Sequence, residues 1–189
     1  FSLTSIIKIF GRYNLKIWKV DKVNTHGGSL RIYASHNYNV INIDKSVINI
    51  LKEEKNFGIT KINTYKNFQK IIETNKAKIT KYLDYEKKNQ KKICGFGAPA
   101  KSTTLINYCK IDEETLDVVF DNSKNKYGKF IPGSKIPILK PTAKKLRQFD
   151  IIFIFAWNLQ KEIVNFLKNK VRKNTKIGIL IPNLKILNL

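Results

Sequence analysis

Two glycines, a proline, a lysine and a serine stand together in Gly95-Phe96-Gly97-Ala98-Pro99-Ala100-Lys101-Ser102, after the apolar pair Ile93-Cys94 and ahead of a helical pattern. Glycines allow a tight turn and close backbone approach. The N-terminus of the following helix offers unpaired N–H groups and a partial positive charge to an anion. Pro99 suits a helix start, where its missing N–H would be unpaired anyway. Lys101 adds a point charge directed at phosphate, and Ser102 adds a hydroxyl donor. The run fits G-x-G-x-x-A, and Asp121 follows the next apolar run, where an acidic residue would meet a ribose hydroxyl. This spacing points to nucleotide or phosphate binding; a purely structural strand-to-helix turn is the competing reading.

Other residues offer less specific chemistry. Trp157-Asn158 follows the apolar run Ile151 to Phe155, at the carboxyl end of a buried strand, where α/β sheets place ligands. Trp157 would stack on a sugar or base and Asn158 would hydrogen-bond it. A core tryptophan followed by a helix-capping asparagine uses the same residues. Lys126, Gly128, Lys129, Pro132 and Gly133 form a polar loop after Asp121, either a phosphate-facing flap or a solvated connection. His26, ahead of Gly27-Gly28, has a side chain suited to acid–base work near neutral pH, or decorates a surface turn. No paired carboxylates, nucleophile–base couple or metal constellation can be assembled. Cys94 and Cys109, with no histidine near them, read as two reduced thiols of a cytoplasmic protein rather than zinc ligands.

Three stretches must position these residues. Residues 1–39 read as a short helix capped by Ser5, then a strand from Leu15 to Val23, a turn at Gly27-Gly28, and a second strand through Leu30, Ile32 and Tyr33. Such a hairpin is too small to stand alone and resembles the edge of a larger sheet. Residues 40–92 carry apolar residues at helical spacing: Val47, Ile48 and Leu51 before Gly58, then Ile62, Tyr65, Phe68, Ile72, Ile79, Tyr82 and Leu83. This predicts two helices acting as a connector, the second long and amphipathic, its apolar stripe packed on neighbouring domains. Residues 93–189 alternate continuous apolar runs (Ile93-Cys94, Val118 to Phe120, Ile151 to Phe155, Ile177 to Ile181) with helical stretches near 102–109, 142–147 and 159–170. Continuous apolarity marks strands buried on both faces, so the class is α/β, a Rossmann-like parallel sheet with flanking helices.

Charge excludes less than it first suggests. The 189 residues hold 36 Lys+Arg against 14 Asp+Glu, a formal net charge of +22. Only Arg12, Arg31, Arg147 and Arg172 are arginines; the rest are lysines spread along the whole chain. Base readout favours arginine, and a nucleic-acid arm or stripe would cluster its charge. Heavy use of Lys, Asn and Ile fits an A/T-rich coding bias, so no nucleic-acid partner is expected. The longest apolar run, Ile151 to Trp157, is far short of the ~20 residues that span a bilayer, and no membrane partner is expected either. Residue 1 is Phe and methionine is absent, so the chain is expected to be a processed product or part of a longer one.

Taken jointly, several motifs resemble a known family. Gly95-Phe96-Gly97-Ala98-Pro99-Ala100-Lys101-Ser102-Thr103-Thr104-Leu105-Ile106-Asn107-Tyr108-Cys109 is similar to the C-terminal domain of S-adenosylmethionine-dependent sugar C-methyltransferases. So are the loop from Asp121 through Lys126-Tyr127-Gly128-Lys129, Pro132-Gly133 and Ile136-Pro137, and the run Ala156-Trp157-Asn158. Phe1-Ser2-Leu3-Thr4 and Thr25-His26-Gly27-Gly28-Ser29-Leu30-Arg31 resemble the last part of the family's central methyltransferase domain. The chain departs from the family at Asn122-Ser123-Lys124, where Arg or Thr often follows the aspartate.

The resemblance implies a C-methyltransferase acting on a nucleotide-diphosphate keto-deoxysugar. A base removes the proton beside the ketone, and the enolate takes the sulfonium methyl of S-adenosylmethionine. It implies that residues 1–39 end the class I methyltransferase domain, 40–92 connect, and 93–189 form the C-terminal module. The cofactor-binding glycine motif, a Glu-His pair supplying the base, and a zinc-binding cysteine cluster are expected ahead of residue 1, so this chain holds no cofactor or metal residues and by itself transfers no methyl group. Gly95, Gly97, Ala98, Lys101, Ser102, Asp121, Lys126, Trp157 and Asn158 are the implied substrate residues, with His26 in a cleft between domains. The alternatives are a nicotinamide-binding Rossmann module, resting on the glycine pattern and Asp121, and a basic nucleic-acid-binding adaptor.

Overall fold

Two serines start the first helix, α1 (Leu3–Gly11): the Ser2 hydroxyl accepts from the Ser5 N–H, and the Ser5 hydroxyl accepts from the Ser2 N–H. Ser2, not Ser5, is therefore the cap, and the reciprocal pair satisfies two orphan donors where one cap satisfies a single one. A carboxylate completes this end: Glu54 accepts from the Leu3 and Thr4 N–H groups at 2.6 and 2.8 Å, where the helix dipole favours negative charge. The computed structural model describes residues 1–188; Leu189 and the side chain of His26 lie outside the described residues.

Strands β1 (Leu15–Val23) and β2 (Ser29–His36) pair antiparallel across a turn in which Gly27 and Gly28 take φ of 92° and 115°. Side chains rarely adopt such values, hence two glycines. Helix α2 (Lys45–Phe57) begins at Asp44, whose side chain accepts from the Ser46 N–H, and ends at Gly58. Leu3, Ile17, Val20, Val47 and Ile50 bury one small core shared by α1, β1 and α2.

Helix α3 (Ile62–Lys88) follows. The chain divides into two compact units, residues 1–70 and 71–189, with the boundary inside α3. The segment read as one connector is thus shared, since α2 packs with α1 and β1. The apolar stripe is shared as well. Ile79 and Leu83 are buried in the second unit, whereas Ile62, Tyr65 and Phe68 are more than half exposed.

In the second unit, β3 (Ile93–Phe96), β4 (Val118–Phe120), β5 (Ile138–Leu139), β6 (Ile151–Ile154), β7 (Lys176–Ile179) and β8 (Lys185–Asn188) form a sheet in the order β5-β4-β3-β6-β7-β8. All neighbours run parallel except β7 and β8. Helices cover both faces. Ile79 and Leu83 of α3, with Ile106 and Cys109 of α4 (Ala100–Cys109), pack with Val119, Phe153 and Phe155 on one face. Leu146 of α5 (Ala143–Leu146), with Ile163 and Leu167 of α6 (Gln160–Lys168), packs with Cys94, Phe96, Ile152 and Ile154 on the other. The α/β class therefore holds, and the antiparallel hairpin of the first unit is a separate two-stranded sheet. Strands β5 and β8 escape the apolar-run signal: the first is two residues long, and the second is a half-exposed edge that needs apolar residues on one face only. No helix among the described residues is long and apolar enough to cross a membrane.

Candidate substrate site at the strand-order switch

Strand β3 lies where the connections change direction: the chain leaves it for β4 and β5 on one side, then returns past it to β6 on the other. In α/β sheets the crevice beyond the carboxyl ends of two such strands is the usual ligand position. The loops after β3 and β6 meet there. The Phe155 N–H donates to the Phe96 carbonyl at 3.0 Å, and a Cβ placed on Gly97 would stand 3.0 Å from Cβ of Ala156. Gly97 also has φ of 86°, so this position requires glycine twice over.

Three residues singled out from the sequence converge at this edge. The Lys101 ammonium lies 4.3 Å from the centroid of the Trp157 ring and donates to Oδ1 of Asn158. Neither partner carries a negative charge, and among the described residues no carboxylate pairs with Lys101. Its charge is thus held in place by a ring face and an amide, uncompensated. Lys101 is the second residue of α4, whose N-terminus carries no side-chain cap. The uncapped first turn and the ammonium therefore present positive charge together. Trp157 and Asn158 begin a 3₁₀ turn (Trp157–Leu159) ahead of α6, so Asn158 does not cap that helix.

The other candidates are committed within the protein. Gly95 is buried in mid-sheet; a Cβ there would lie 2.9 Å from Cδ2 of Phe155 and 3.0 Å from Cγ2 of Val119, so the core itself explains the glycine. The Gly97 N–H donates to the Phe120 carbonyl at 2.7 Å, and the Ala98 N–H to Oδ2 of Asp121 at 2.7 Å. The Ser102 side chain is fully buried and donates to the Pro99 carbonyl at 2.6 Å. Of the groups that the sequence offers to an anion, the first turn of α4 and Lys101 therefore remain, whereas the Gly97 and Ala98 N–H groups and the Ser102 hydroxyl are bonded within the protein.

Asp121, 8% exposed, acts as a brace. Besides Ala98 it accepts from the Ser123 N–H at 2.8 Å and from the Lys126 ammonium at 3.0 Å, and Lys126 also reaches the Ala98 carbonyl at 3.0 Å. Burial pushes the Asp121 carboxyl up, but the Ser123 and Ala98 N–H groups and the Lys126 ammonium outweigh it and hold it below its ordinary value of 3.8. Three of the carboxylate's roughly four acceptor positions are taken within the protein, two on Oδ2 and one on Oδ1, which leaves little of it for a ribose. The loop beyond it is an ordered return: Gly128 N–H donates to Ile138 O, Ile138 N–H to Lys129 O and Ile131 N–H to Ile136 O. Asn107 of α4 donates to the Pro132 carbonyl at 2.9 Å, and a Cβ on Gly133 would crowd that same Asn107 side chain. The sequence offered a signal for this brace, an aspartate five residues ahead of a lysine, but equally compatible with a ligand contact.

A depressed native pKa contributes stability that is fully present above the unfolded value, about 3.9, and is lost as pH falls toward the folded one. Asp121→Asn is therefore expected to lower the urea midpoint at pH 6, with the gap from wild type shrinking below about pH 4. An equal gap at both pH values would contradict the brace.

Among the described residues no group of three or more His, Cys, Asp and Glu could hold a metal ion. Cys94 and Cys109 are buried and unpaired, and burial raises both thiols above their ordinary range.

A mostly parallel sheet covered by helices on both faces, with a glycine turn, an uncapped helix start and a lysine–tryptophan–asparagine cluster at its switch point, defines a Rossmann-like α/β domain. The chain belongs to the C-methyltransferase C-terminal domain family, whose model matches residues 24–182. It is similar to C-methyltransferase NovU of Streptomyces niveus, with 28% identity over 188 residues, covering 100% of this chain and 45% of that protein. The chain thus spans less than half the length of this curated relative.

Proposed function

We propose that this chain is the C-terminal portion of a cytoplasmic C-methyltransferase acting on a nucleotide-linked keto-deoxysugar, and that its task is to hold the substrate. Residues 1–39 would then end the methyltransferase domain and 93–189 form the C-terminal module. The observation that carries the reading is the Lys101–Trp157–Asn158 cluster beside the uncapped start of α4. An uncompensated ammonium next to a helix N-terminus suits a diphosphate. An indole and an amide alongside suit a sugar or base. Asp121, taken up by the loop, weakens the nicotinamide reading, which needs a free acceptor for ribose.

S-adenosylmethionine would supply the methyl group, and no residue of this chain is assigned to it. Zinc finds no fitting donor set among the described residues. The chain's own contribution is positional: fixing the substrate's phosphates restricts the reacting carbon, an effect worth several kcal/mol of a barrier. With keto-sugar and labelled cofactor, the chain alone is expected to transfer no methyl group, and clear turnover would overturn the purely positional role. Calorimetric titration separates the readings: a nucleotide-diphosphate sugar binds and NAD does not. The reverse result would sink the proposal.

A further inference from the structure

The opposite end of the same sheet holds a concavity. A cavity of about 320 Å³ opens at the amino-terminal ends of β6 and β7, whereas the Lys101 cluster lies beyond the carboxyl ends. Four cations line it, Lys91, Arg172, Lys173 and Lys176, against two carboxylates, Glu86 and Asp150. Both carboxylates are answered internally. Glu86, 3% exposed, accepts from the Lys176 ammonium at 3.1 Å, and Asp150 accepts from the Arg172 guanidinium at 2.9 Å and the Lys92 N–H at 2.9 Å. Among the described residues neither Lys91 nor Lys173 has a carboxylate partner. Two positive charges are left over.

The walls are fixed before any ligand arrives. The Lys91 N–H donates to the Glu86 carbonyl at 3.0 Å, Asp150 N–H to Lys92 O at 2.9 Å, and Lys176 N–H to Asp150 O at 2.9 Å. Thr175, 1% exposed, donates its hydroxyl to the Phe149 carbonyl at 3.3 Å. A pre-organised wall spares a ligand the cost of ordering it. No aromatic side chain lines the cavity, so it offers charge and no stacking surface.

We propose that this cavity is a second binding site, taking a small polyanion of the phosphate class, with Lys91 and Lys173 as its unmatched charges. It is independent of the substrate site. Free pyrophosphate and the diphosphate of a nucleotide share this chemistry. The lining here reads only the phosphates, so a nucleoside adds nothing.

The test is titration of the ¹⁵N-labelled chain with inorganic pyrophosphate at low salt, with uridine diphosphate in parallel. Amides of Lys91 and of residues 172–176 are expected to shift and saturate with pyrophosphate, less so as salt rises. Uridine diphosphate is expected to bind there no more tightly. Lys91→Ala combined with Lys173→Ala removes two exposed side chains at little cost to folding, and should raise the Kd about tenfold. Lys101→Ala should leave these shifts unchanged. The proposal is overturned if those amides do not respond, if the double variant binds as wild type does, or if uridine diphosphate binds there tenfold tighter than pyrophosphate.

Discussion

Gly95→Val is expected to abolish the native packing of residues 71–189. β3 is a central strand, flanked by β4 and β6, and both faces of the sheet are covered by helices. The space beside Gly95 is filled by Phe155, 1% exposed, whose ring lies where a side chain would go, with Val119 on the other flank. Neither neighbour has room to retreat in an interior packed like a crystal. Overpacking by one methyl costs about 1–3 kcal/mol, and valine adds two carbons more. Gly178 on β7 meets Phe153 in the same way, so two glycines make way for the two large rings that β6 and its extension turn to one face. Circular dichroism and urea unfolding measure the effect; a Gly95→Val protein with the wild-type midpoint would contradict this packing.

Asp121→Ala is expected to cost about 3 kcal/mol, because it strands a buried donor as well as deleting an ion pair. The Ala98 N–H, now bonded at 2.7 Å, would face no acceptor, and Lys126 would lose its only carboxylate among the described residues. The pair itself contributes less than full burial would suggest, since the Lys126 side chain is 37% exposed. The cost should appear both as a lower urea midpoint and as faster hydrogen exchange at Ala98, and Asp121→Asn should recover part of it. Unchanged exchange at Ala98 would mean that the carboxylate does not hold the turn.

These two residues mark where sequence and structure part. Continuous apolar runs identified β3, β4, β6 and β7, because burial on both faces leaves no room for polar alternation. The same physics hid β8, which has one half-exposed face, and β5, which is too short for any period. At the site, the glycine pattern correctly located a strand-to-helix turn and left two readings open, a phosphate contact and a structural turn; the core and Asp121 account for the glycines by the second. Gly95 makes room for Phe155, Gly97 for Ala156, and the Ser102 hydroxyl closes on Pro99. A spacing motif records that glycine is needed without recording what approaches it. Lys101, Trp157 and Asn158 were visible singly; that they meet depends on β6 pairing beside β3, a long-range fact. The distribution of charge is read the same way. Most lysines lie on solvated faces without a carboxylate partner, so a missing partner alone singles out none of them; Lys101 is set apart by the ring and the amide that hold it at the start of α4.

The most direct test of the substrate-holding role is the affinity of a nucleotide-diphosphate sugar for the wild-type chain and for Lys101→Ala, measured by calorimetry at fixed ionic strength. A charge-assisted contact to phosphate accounts for about 1.5–3 kcal/mol, so the variant should bind roughly ten- to a hundredfold more weakly while unfolding at the same urea concentration. Equal affinity in the two proteins would contradict the account.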